Sequence, residues 1–478
     1  MSETLPTGNP LAPPWLELPE DANSLAPAVW SQNTSRAATG IIEVAGVSVT
    51  ALAAQFGTPL YVMDEADVRA RASGARSAFD REFDRIGSSA KVYYAGKAFL
   101  SAEIARWVTE SGLYLDVASG GELAVALAAG IEPGRIGLHG NNKSLAEIDR
   151  AVASGVGVIV IDSVIEIERV AAAARLHDRR QRVRLRVNSG VHAHTHEYLA
   201  TAREDQKFGI ALSDAGANAA IIRSHPELEF LGLHCHIGSQ IFEIEGFAES
   251  ARRLMALHAE LLTDGPVPEL NLGGGFGISH TSAETAMAID DIAAALANIV
   301  ASEAERLGLA VPIVAVEPGR SIVGPSTFTL YEVGTIKDVV VDGANIRKYV
   351  SVDGWMSDNV RPALYEADYS VRIANRHSDA AATLVRVVGK HCESGDIVVL
   401  ADYLPEDVEP GDLLAVPATG AYCWSLSSNY NYLARPAVVA VSAGQARVIV
   451  RGETENDLLS RDAGLGFSAA ATTNGHQR

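Results

Sequence analysis

In the sequence Val92-Tyr93-Tyr94-Ala95-Gly96-Lys97-Ala98, a short apolar segment is followed closely by a lysine. Segments of this kind recur along the chain and predict β-strands at residues 91–95, 113–117, 135–139, 157–162, 183–188, 230–236, 269–273 and 313–317. Segments with helical periodicity lie between them. Strands that alternate with helices predict parallel βα units, and eight such units close a TIM-like (β/α)8 barrel. An open, doubly wound sheet is the competing architecture, but no G-x-G-x-x-G follows the first strand.

The composition changes after about residue 322, where runs rich in Val, Thr and Tyr replace the helical segments. These runs predict an all-β barrel or sandwich, which the strand-like segment 59–64 can join. The predicted chain is therefore of the α/β class and has four parts: an irregular N-terminal arm at 1–38, a (β/α)8 barrel at 65–322, a β-rich domain formed by 39–64 and 323–463, and a disordered tail at 464–478.

Bulk properties argue against several classes of function. The chain has 478 residues and a net charge of −20 with no long basic run, which argues against nucleic acid or an anionic membrane as a partner. Its three cysteines show no C-x-x-C spacing and fit a reducing cytoplasm. The N-terminus lacks the features of a secretory signal, and no stretch has the length and apolarity of a membrane span. We expect a cytoplasmic protein.

Lys97 comes directly after a predicted strand, where turns usually use Gly, Asn or Asp. An isolated lysine of this kind is more often a solvated surface residue, but it can also form a Schiff base with a carbonyl cofactor. In a βα-barrel, phosphate commonly binds in the loops after strands seven and eight. Those loops are Gly273-Gly274-Gly275-Phe276-Gly277 and Glu317-Pro318-Gly319-Arg320. Consecutive glycines let backbone N–H groups converge on an anion, which favours the Schiff-base interpretation.

Two other strand ends offer partners for a flat cofactor ring. Glu317 ends the eighth strand, where a carboxylate can pair with a protonated pyridine nitrogen. His234 and His236 end the sixth strand and point to the same side of it. We assign His236 to stack on the ring and Ser239 to contact the phosphate. A metal bound by the two histidines is the alternative, and it is disfavoured because no third ligand lies at ligand spacing in the sequence. No metal is predicted.

Several motifs together resemble the fold-type III pyridoxal-phosphate decarboxylases, in the correct order over roughly residues 40–455: YAGKA (94–98), HCHIGSQ (234–240), GGGF (273–276), EPGR (317–320), CESGD (392–396) and GAY (420–422). Further segments similar to the same family are DVASGGEL (116–123), HGNNKS (139–144), EDQKFG (204–209) and RPALY (361–365). One departure is the sequence Asn188-Ser189-Gly190-Val191, where the family usually has Pro after Asn. The resemblance implies pyridoxal 5'-phosphate as the cofactor.

The resemblance also implies a role for each matching residue. Lys97 carries the cofactor, Cys392 donates a proton and Glu393 binds the distal amine of the substrate. Cys392 and Glu393 reach into the partner subunit's site, so a homodimer with shared active sites is expected. A buried, inert cysteine is the alternative for Cys392. The implied cofactor contacts are Lys97, His236, Ser239, Gly275, Phe276, Gly277, Glu317, Pro318, Gly319, Arg320 and Tyr422. The implied substrate contacts are Arg320, Arg361, Tyr365, Glu393 and Tyr422.

Local residues discriminate between the substrates of this scaffold. Arg361 and Tyr365 can clamp a distal carboxylate, while Glu393 can pair with a distal amine. Polyamine enzymes of the scaffold characteristically carry Asp, not Glu, after the catalytic cysteine. The resemblance therefore implies decarboxylation of meso-2,6-diaminopimelate to L-lysine and CO2, the last step of lysine biosynthesis by that route. The alternatives are an ornithine- or arginine-type decarboxylase, an inactive regulatory homologue and a pyridoxal-phosphate racemase.

Overall fold

The computed structural model of the chain describes residues 9–191, 207–341, 343 and 345–465. The strands are β1 (Thr34–Arg36), β2 (Ile42–Val44), β3 (Val47–Ser48), β4 (Leu60–Asp64), β5 (Ala90–Ala95), β6 (Tyr114–Val117), β7 (Ile136–Leu138), β8 (Val158–Ile161), β9 (Gln181–Asn188), β10 (Ile210–Ala211), β11 (Leu228–His234), β12 (Glu269–Asn271), β13 (Ile313–Val316), β14 (Thr327–Val340), β15 (Ile346–Val352), β16 (Arg372–Ile373), β17 (Ala382–Val388), β18 (Ile397–Pro405), β19 (Leu413–Val416), β20 (Ala437–Ser442) and β21 (Gln445–Val450).

The α-helices are α1 (Val49–Phe56), α2 (Glu65–Arg85), α3 (Ala102–Glu110), α4 (Gly120–Ala128), α5 (Leu145–Ser154), α6 (Val164–Leu176), α7 (Leu212–Ser224), α8 (Glu245–Leu262), α9 (Ile289–Leu307), α10 (Arg320–Val323), α11 (Arg361–Tyr365) and α12 (Glu455–Leu459). None of the helices in this part of the chain is long and apolar enough to cross a membrane.

Eight parallel strands close into a barrel in the order β5-β6-β7-β8-β9-β11-β12-β13. The barrel closes where β13 pairs with β5 and Val314 lies opposite Ala90. The strands fall where the eight apolar segments predict them, and their interiors are almost continuously apolar because helices cover the outside. The predicted fold class, a TIM-like barrel followed by a β-rich region, is therefore confirmed.

Short polar residues begin several of the barrel helices. Ser101 accepts a hydrogen bond from the N–H of Ile104 at the start of α3, and Ser144 forms a capping box with Glu147 at the start of α5. Asp64 caps α2, as the sequence predicts. Ser101 and Ser144 each end a loop that follows a barrel strand, so these two caps also fix where those loops stop.

The second sheet contains a strand from before the barrel. Its order is β18-β17-β15-β14-β4-β20-β21, so β4 lies between two strands that follow the barrel. Val62 of β4 lies opposite Phe328 in β14 and opposite Val439 in β20. The chain therefore leaves this sheet after β4, forms the barrel and returns to the sheet with β14. This path places the β-rich region next to the barrel.

The N-terminal arm packs on the chain's own β-rich region from residue 9 onward. Trp30 is buried and its ring centroid lies 5.8 Å from that of Phe328. Leu11 and Leu16 pack against the cluster that contains Tyr403. Residues 466–478 of the predicted tail and residues 204–206 of the EDQKFG motif lie outside the described residues.

Candidate active site

Two adjoining cavities open at the carboxyl ends of the barrel strands. The larger has a volume of about 660 Å³ and the smaller about 250 Å³. Both are lined by Ala95, Lys97, His236, Ser239 and Glu317. Four of these five residues were singled out from the sequence, so the structure brings the predicted lysine, ring and phosphate residues together at one place.

Lys97 lies in a single 3-10 turn, Gly96–Ala98, directly after β5. Its side chain is exposed to both cavities. The turn is tight against the next strand, because a Cβ added at Gly96 would lie 2.7 Å from the carbonyl oxygen of Asp116. The carbonyl of Ala98 accepts the N–H of Tyr422 over 2.8 Å, which joins the turn to the β-rich region. The backbone that carries the Lys97 side chain is thus held in place on both sides.

Glu317 lies between the two cavities, just after β13. Its Oε1 accepts a hydrogen bond from Asn271 Nδ2 over 2.8 Å. His234 Nε2 lies 3.0 Å from the same oxygen but is poorly aligned for a hydrogen bond. Burial alone would raise the pKa of Glu317, but the histidines beside it hold that pKa well below its usual range. Burial lowers the pKa of His234 to about 4. At neutral pH the carboxylate is therefore charged and His234 is neutral.

Asp116 and His139 extend this cluster, and neither was predicted as a site residue. Asp116 Oδ1 lies 3.1 Å from His139 Nε2, which lies 3.6 Å from Glu317 Oε1. Burial raises the pKa of Asp116 to about 6. Asp116 is the penultimate residue of β6, and His139 follows β7. The rule that picked out Lys97 and Glu317, a polar residue at the carboxyl end of a barrel strand, applies equally to both.

The structure changes the argument about a metal at His234. Ligand atoms of His139, His234 and Glu317 all lie within 4.8 Å of one another, a set that could hold an ion. The sequence argument paired His234 with His236 and relied on the absence of a third ligand at suitable spacing along the chain. The barrel instead brings two residues from other strand ends, His139 and Glu317, to His234, and His236 is not part of this set. The carboxylate of the set is that of Glu317, which faces both cavities. The three ligand atoms therefore belong to the site described above.

His236 forms part of the wall that the two cavities share. Its Nδ1 accepts the N–H of Gly274 over 3.3 Å, and burial holds its pKa well below the usual value. The ring is therefore a neutral, fixed plate. Gly275 has φ +104°, and a Cβ there would collide with the carbonyl oxygen of Gly238. Only glycine permits this close approach of the two loops.

Arg320 begins α10 on the wall of the larger cavity. Its Nη2 donates to Ser239 Oγ over 2.9 Å, and its guanidinium carbon lies 4.6 Å from the centroid of the Tyr422 ring. Among the described residues, its buried Nε and Nη1 have no hydrogen-bond partner. Burial and the nearby Arg361 lower the pKa of Arg320 to about 10. A buried cation with free donors beside a glycine-rich loop fits a bound phosphate.

Arg361 begins α11 and lines the larger cavity from the β-rich side. Its Nη1 donates to His280 Nε2 over 2.9 Å and also to the hydroxyl of Tyr369. Its buried Nε has no partner, and no carboxylate in the described part of the chain forms an ion pair with it. Among the described residues, the side-chain hydrogen-bond partners of this buried guanidinium are therefore neutral.

The remaining predicted residues differ in how close they come to the cavities. Tyr365, Gly319, Gly275 and Tyr422 line the larger cavity. Phe276 also borders it, but its ring packs against Phe79 and Phe247 behind the loop. Gly277 and Pro318 line neither cavity: the N–H of Gly277 donates to Ile241, and the carbonyl of Pro318 accepts the N–H of Ala95. Both support the loops through backbone hydrogen bonds.

Cys392 and Glu393 lie away from both cavities of their own chain. Both are exposed, in the loop between β17 and β18. Asn431 holds this loop: its Oδ1 accepts the N–H of Cys392 over 3.3 Å and the Nδ1–H of His391 over 3.0 Å. Asn431 has φ +50°, a left-handed conformation that Asn tolerates better than most residues. The loop is ordered although it contacts neither cavity of its own chain.

The residues present fit pyridoxal phosphate. A barrel enzyme with an exposed lysine, an anionic carboxylate and an anion cradle at one end of its strands is suited to a cofactor with a carbonyl, a pyridine nitrogen and a phosphate. The family described as "Pyridoxal-dependent decarboxylase, pyridoxal binding domain" matches residues 65–324. The chain is therefore a member of the pyridoxal-dependent decarboxylases.

Similar proteins narrow this class. A diaminopimelate decarboxylase of Mycobacterium tuberculosis is 52% identical over 91% of this chain and 98% of its own length. One from Bacillus subtilis is 42% identical over 88% and 95%. The solved diaminopimelate decarboxylase of M. jannaschii in complex with L-lysine has a TM-score of 0.83 at 31% identity and covers 90% of this chain and 98% of that one. Within its class, the chain belongs to the diaminopimelate decarboxylase family.

Proposed function

We propose that this protein decarboxylates meso-2,6-diaminopimelate to L-lysine and CO2. The observation that carries the proposal is Arg361, a buried guanidinium on the substrate side of the cavity whose Nε has no partner among the described residues. A buried cation needs an anion, and a distal carboxylate supplies one. Ornithine and arginine carry no such second carboxylate and would leave Arg361 unpaired. The relatives named diaminopimelate decarboxylase support the same substrate.

The cofactor residues divide the work of binding between them. Lys97 would hold the carbonyl end, His236 would cover one face of the ring and Glu317 would pair with the ring nitrogen. Ser239, Arg320 and the glycine amides of the loop after β12 hold the phosphate. Bound pyridoxal phosphate supplies an electron-accepting ring for the electrons left behind when a carboxylate departs. A charged Glu317 favours a protonated ring nitrogen, which strengthens that acceptance.

The second half of the site comes from a partner subunit. In this proposal the partner subunit's Cys392 protonates the carbon that has lost CO2, and the partner subunit's Glu393 pairs with the distal amine. The exposed position of both residues on an ordered loop supports this. So does an exposed aromatic side chain beside Asn431, since Tyr432 is 68% exposed. The three free cysteines also suit the reducing environment of the cytoplasm, where we place this homodimer.

Subunit exchange tests the shared site. Lys97→Ala and Cys392→Ala chains are each expected to be nearly inactive as homodimers. After mixing and exchange, a heterodimer contains one site with both residues intact, so activity recovers toward about a quarter of wild type in a one-to-one mixture. Mass spectrometry of differently tagged chains verifies the exchange. Verified exchange with no recovered activity would place Cys392 in its own chain's site or outside the chemistry.

A comparison of substrates tests the proposed reaction itself. With purified holoenzyme, kcat/KM for CO2 release from meso-diaminopimelate should exceed that for L-ornithine and L-arginine by about 100-fold or more, because a buried polar group left unpaired is a strong basis for rejection. A preference for L-ornithine or L-arginine would refute the proposal and assign the chain to the basic amino-acid decarboxylases. The Lys97→Ala chain provides the blank.

A further inference from the structure

The hydrogen-bond partners that hold Arg361 are neutral, although a buried arginine is usually paired with a carboxylate. The two acceptors of its Nη1 are His280 Nε2, at 2.9 Å, and the phenol of Tyr369. His280 and Tyr369 are almost fully buried, and their rings meet edge to face with centroids 5.2 Å apart. Burial raises the pKa of Tyr369, so its phenol stays uncharged.

The surroundings of His280 keep its ring uncharged. Arg361 Nη1 lies at one ring nitrogen, and Gln240 Nε2 lies 3.2 Å from the other. Arg361 can only donate, so Nε2 accepts from it and carries no proton, which leaves the single proton of a neutral ring on Nδ1. Burial, and after it the Arg361 charge, lower the pKa of His280 to about 3. His280 therefore accepts from Arg361 without bringing a negative charge to it.

The carboxylate of Glu284, which lies beside His280, is committed to other contacts. Glu284 Oε2 accepts the backbone N–H of His280 over 2.6 Å and that of Thr281 over 3.2 Å, and it lies 3.8 Å from His280 Nδ1. It therefore fixes the loop that carries His280 and forms no ion pair with Arg361. Gln240 fixes the same loop by pairing with both backbone groups of Ile278.

We infer that His280 is a specificity-determining residue: as a neutral acceptor it orients Arg361 and leaves the full guanidinium charge available for the distal carboxylate of the substrate. An acidic residue at this position would hold Arg361 equally well but would neutralise it and compete with the substrate. The inference rests on the proposed function, and it adds the feature that selects a ligand with a second carboxylate.

A matched pair of variants separates the effect of orienting Arg361 from the effect of placing a negative charge beside it. His280→Gln and His280→Glu have nearly the same shape, and both offer an oxygen to Arg361, but only the second brings a charge. A matched pair of ligands isolates the distal carboxylate, because cadaverine is L-lysine without that group. Calorimetric titration of each holoenzyme with both ligands gives the ratio of the cadaverine Kd to the L-lysine Kd. Cofactor absorbance and Tm verify that each variant is folded and loaded.

In His280→Glu the ratio should fall by about tenfold or more relative to wild type, whereas in His280→Gln it should stay within about threefold. An unchanged ratio in His280→Glu would overturn the inference, as would equal falls in the two variants, which would show a merely structural role. Should His280→Glu fail to take up cofactor, His280→Phe replaces it, since loss of the acceptor should also lower the ratio. Wild-type protein that binds L-lysine no better than cadaverine would instead refute the proposed function.

Discussion

Asn271 Nδ2 donates to Glu317 Oε1 over 2.8 Å, which joins the carboxyl ends of the adjacent strands β12 and β13. The Asn271 amide is itself oriented, because its Oδ1 accepts the N–H of Gly273 over 2.8 Å. Both residues are buried. The described contacts of the carboxylate all involve Oε1. This arrangement orients the carboxylate through Oε1 and leaves Oε2 for the proposed pairing with the ring nitrogen of the cofactor.

Replacing Glu317 with Gln should lower kcat by about a hundredfold or more, the scale for removing a preorganised electrostatic partner at a reacting centre. The amide keeps the shape of the side chain but no longer favours a protonated ring nitrogen. Steady-state CO2 release gives kcat, and equilibrium dialysis gives the cofactor Kd, which should change much less. A variant with wild-type kcat would show that Glu317 is not the partner of the ring nitrogen.

Lys97→Ala should abolish both borohydride fixation of the cofactor and turnover. The amine is the one lysine that lines the two cavities in the described part of the chain. Peptide mapping of the reduced wild-type protein should find the pyridoxyl group on residue 97. Lys143 provides an internal control: it is buried and bonded to the carbonyls of Gly140 and Val160, so it should stay unmodified. A fixed cofactor on any other lysine of the variant would contradict the assignment.

The loop that carries Cys392 should depend on the side chain of Asn431. Asn431→Gly keeps the left-handed backbone accessible but removes the acceptor for the N–H of Cys392, whereas Asn431→Ala also strains the turn. Both variants should lose about tenfold or more in kcat, because general-acid catalysis depends on placement of the acid. Cofactor absorbance should be unchanged in both. Wild-type kcat in Asn431→Gly would mean that only the backbone conformation matters.

The imidazole of His234 should not titrate between pH 5 and 8 in the folded protein, because its pKa is lowered to about 4. Burial disfavours the cation more than Glu317 attracts it. Proton–carbon spectra of histidine-labelled protein, assigned with His234→Gln, would follow the ring directly. A midpoint near the ordinary value of about 6.5 would contradict this electrostatic picture of the cluster.

The strands of the barrel could be predicted from the sequence because parallel strands covered on both faces are short apolar runs. Lys97, His236, Ser239, Glu317 and Arg320 were found because they lie at or just after the carboxyl ends of such runs. The motif residues Gly277 and Pro318 show the limit of this reasoning. Membership in a glycine-rich or proline-containing loop does not reveal which backbone groups face a cavity and which support the loop from behind.

Contacts between distant strands could not be predicted. His139 reaches Glu317 only because the barrel closes, and His280 reaches Arg361 only because the β-rich region packs over the loop after β12. Neither pair has a signal in residue spacing. Strand β4 is an intermediate case: its apolar run predicts a strand, but its position between β14 and β20 depends on long-range pairing. In the proposed shared site, the location of Cys392 relative to a reacting carbon would depend on a second chain.

Product analysis in deuterium oxide is the most direct test of the central claim that this chain is a decarboxylase of meso-diaminopimelate. Holoenzyme incubated with that substrate should release one CO2 for each L-lysine formed, with one deuterium on the carbon that lost its carboxylate. Nuclear magnetic resonance of the product and a manometric or coupled CO2 assay give both quantities. Deuterium exchange or epimerisation without CO2 release would identify a racemase, and no reaction by cofactor-loaded protein would identify an inactive homologue. Either outcome would contradict the account.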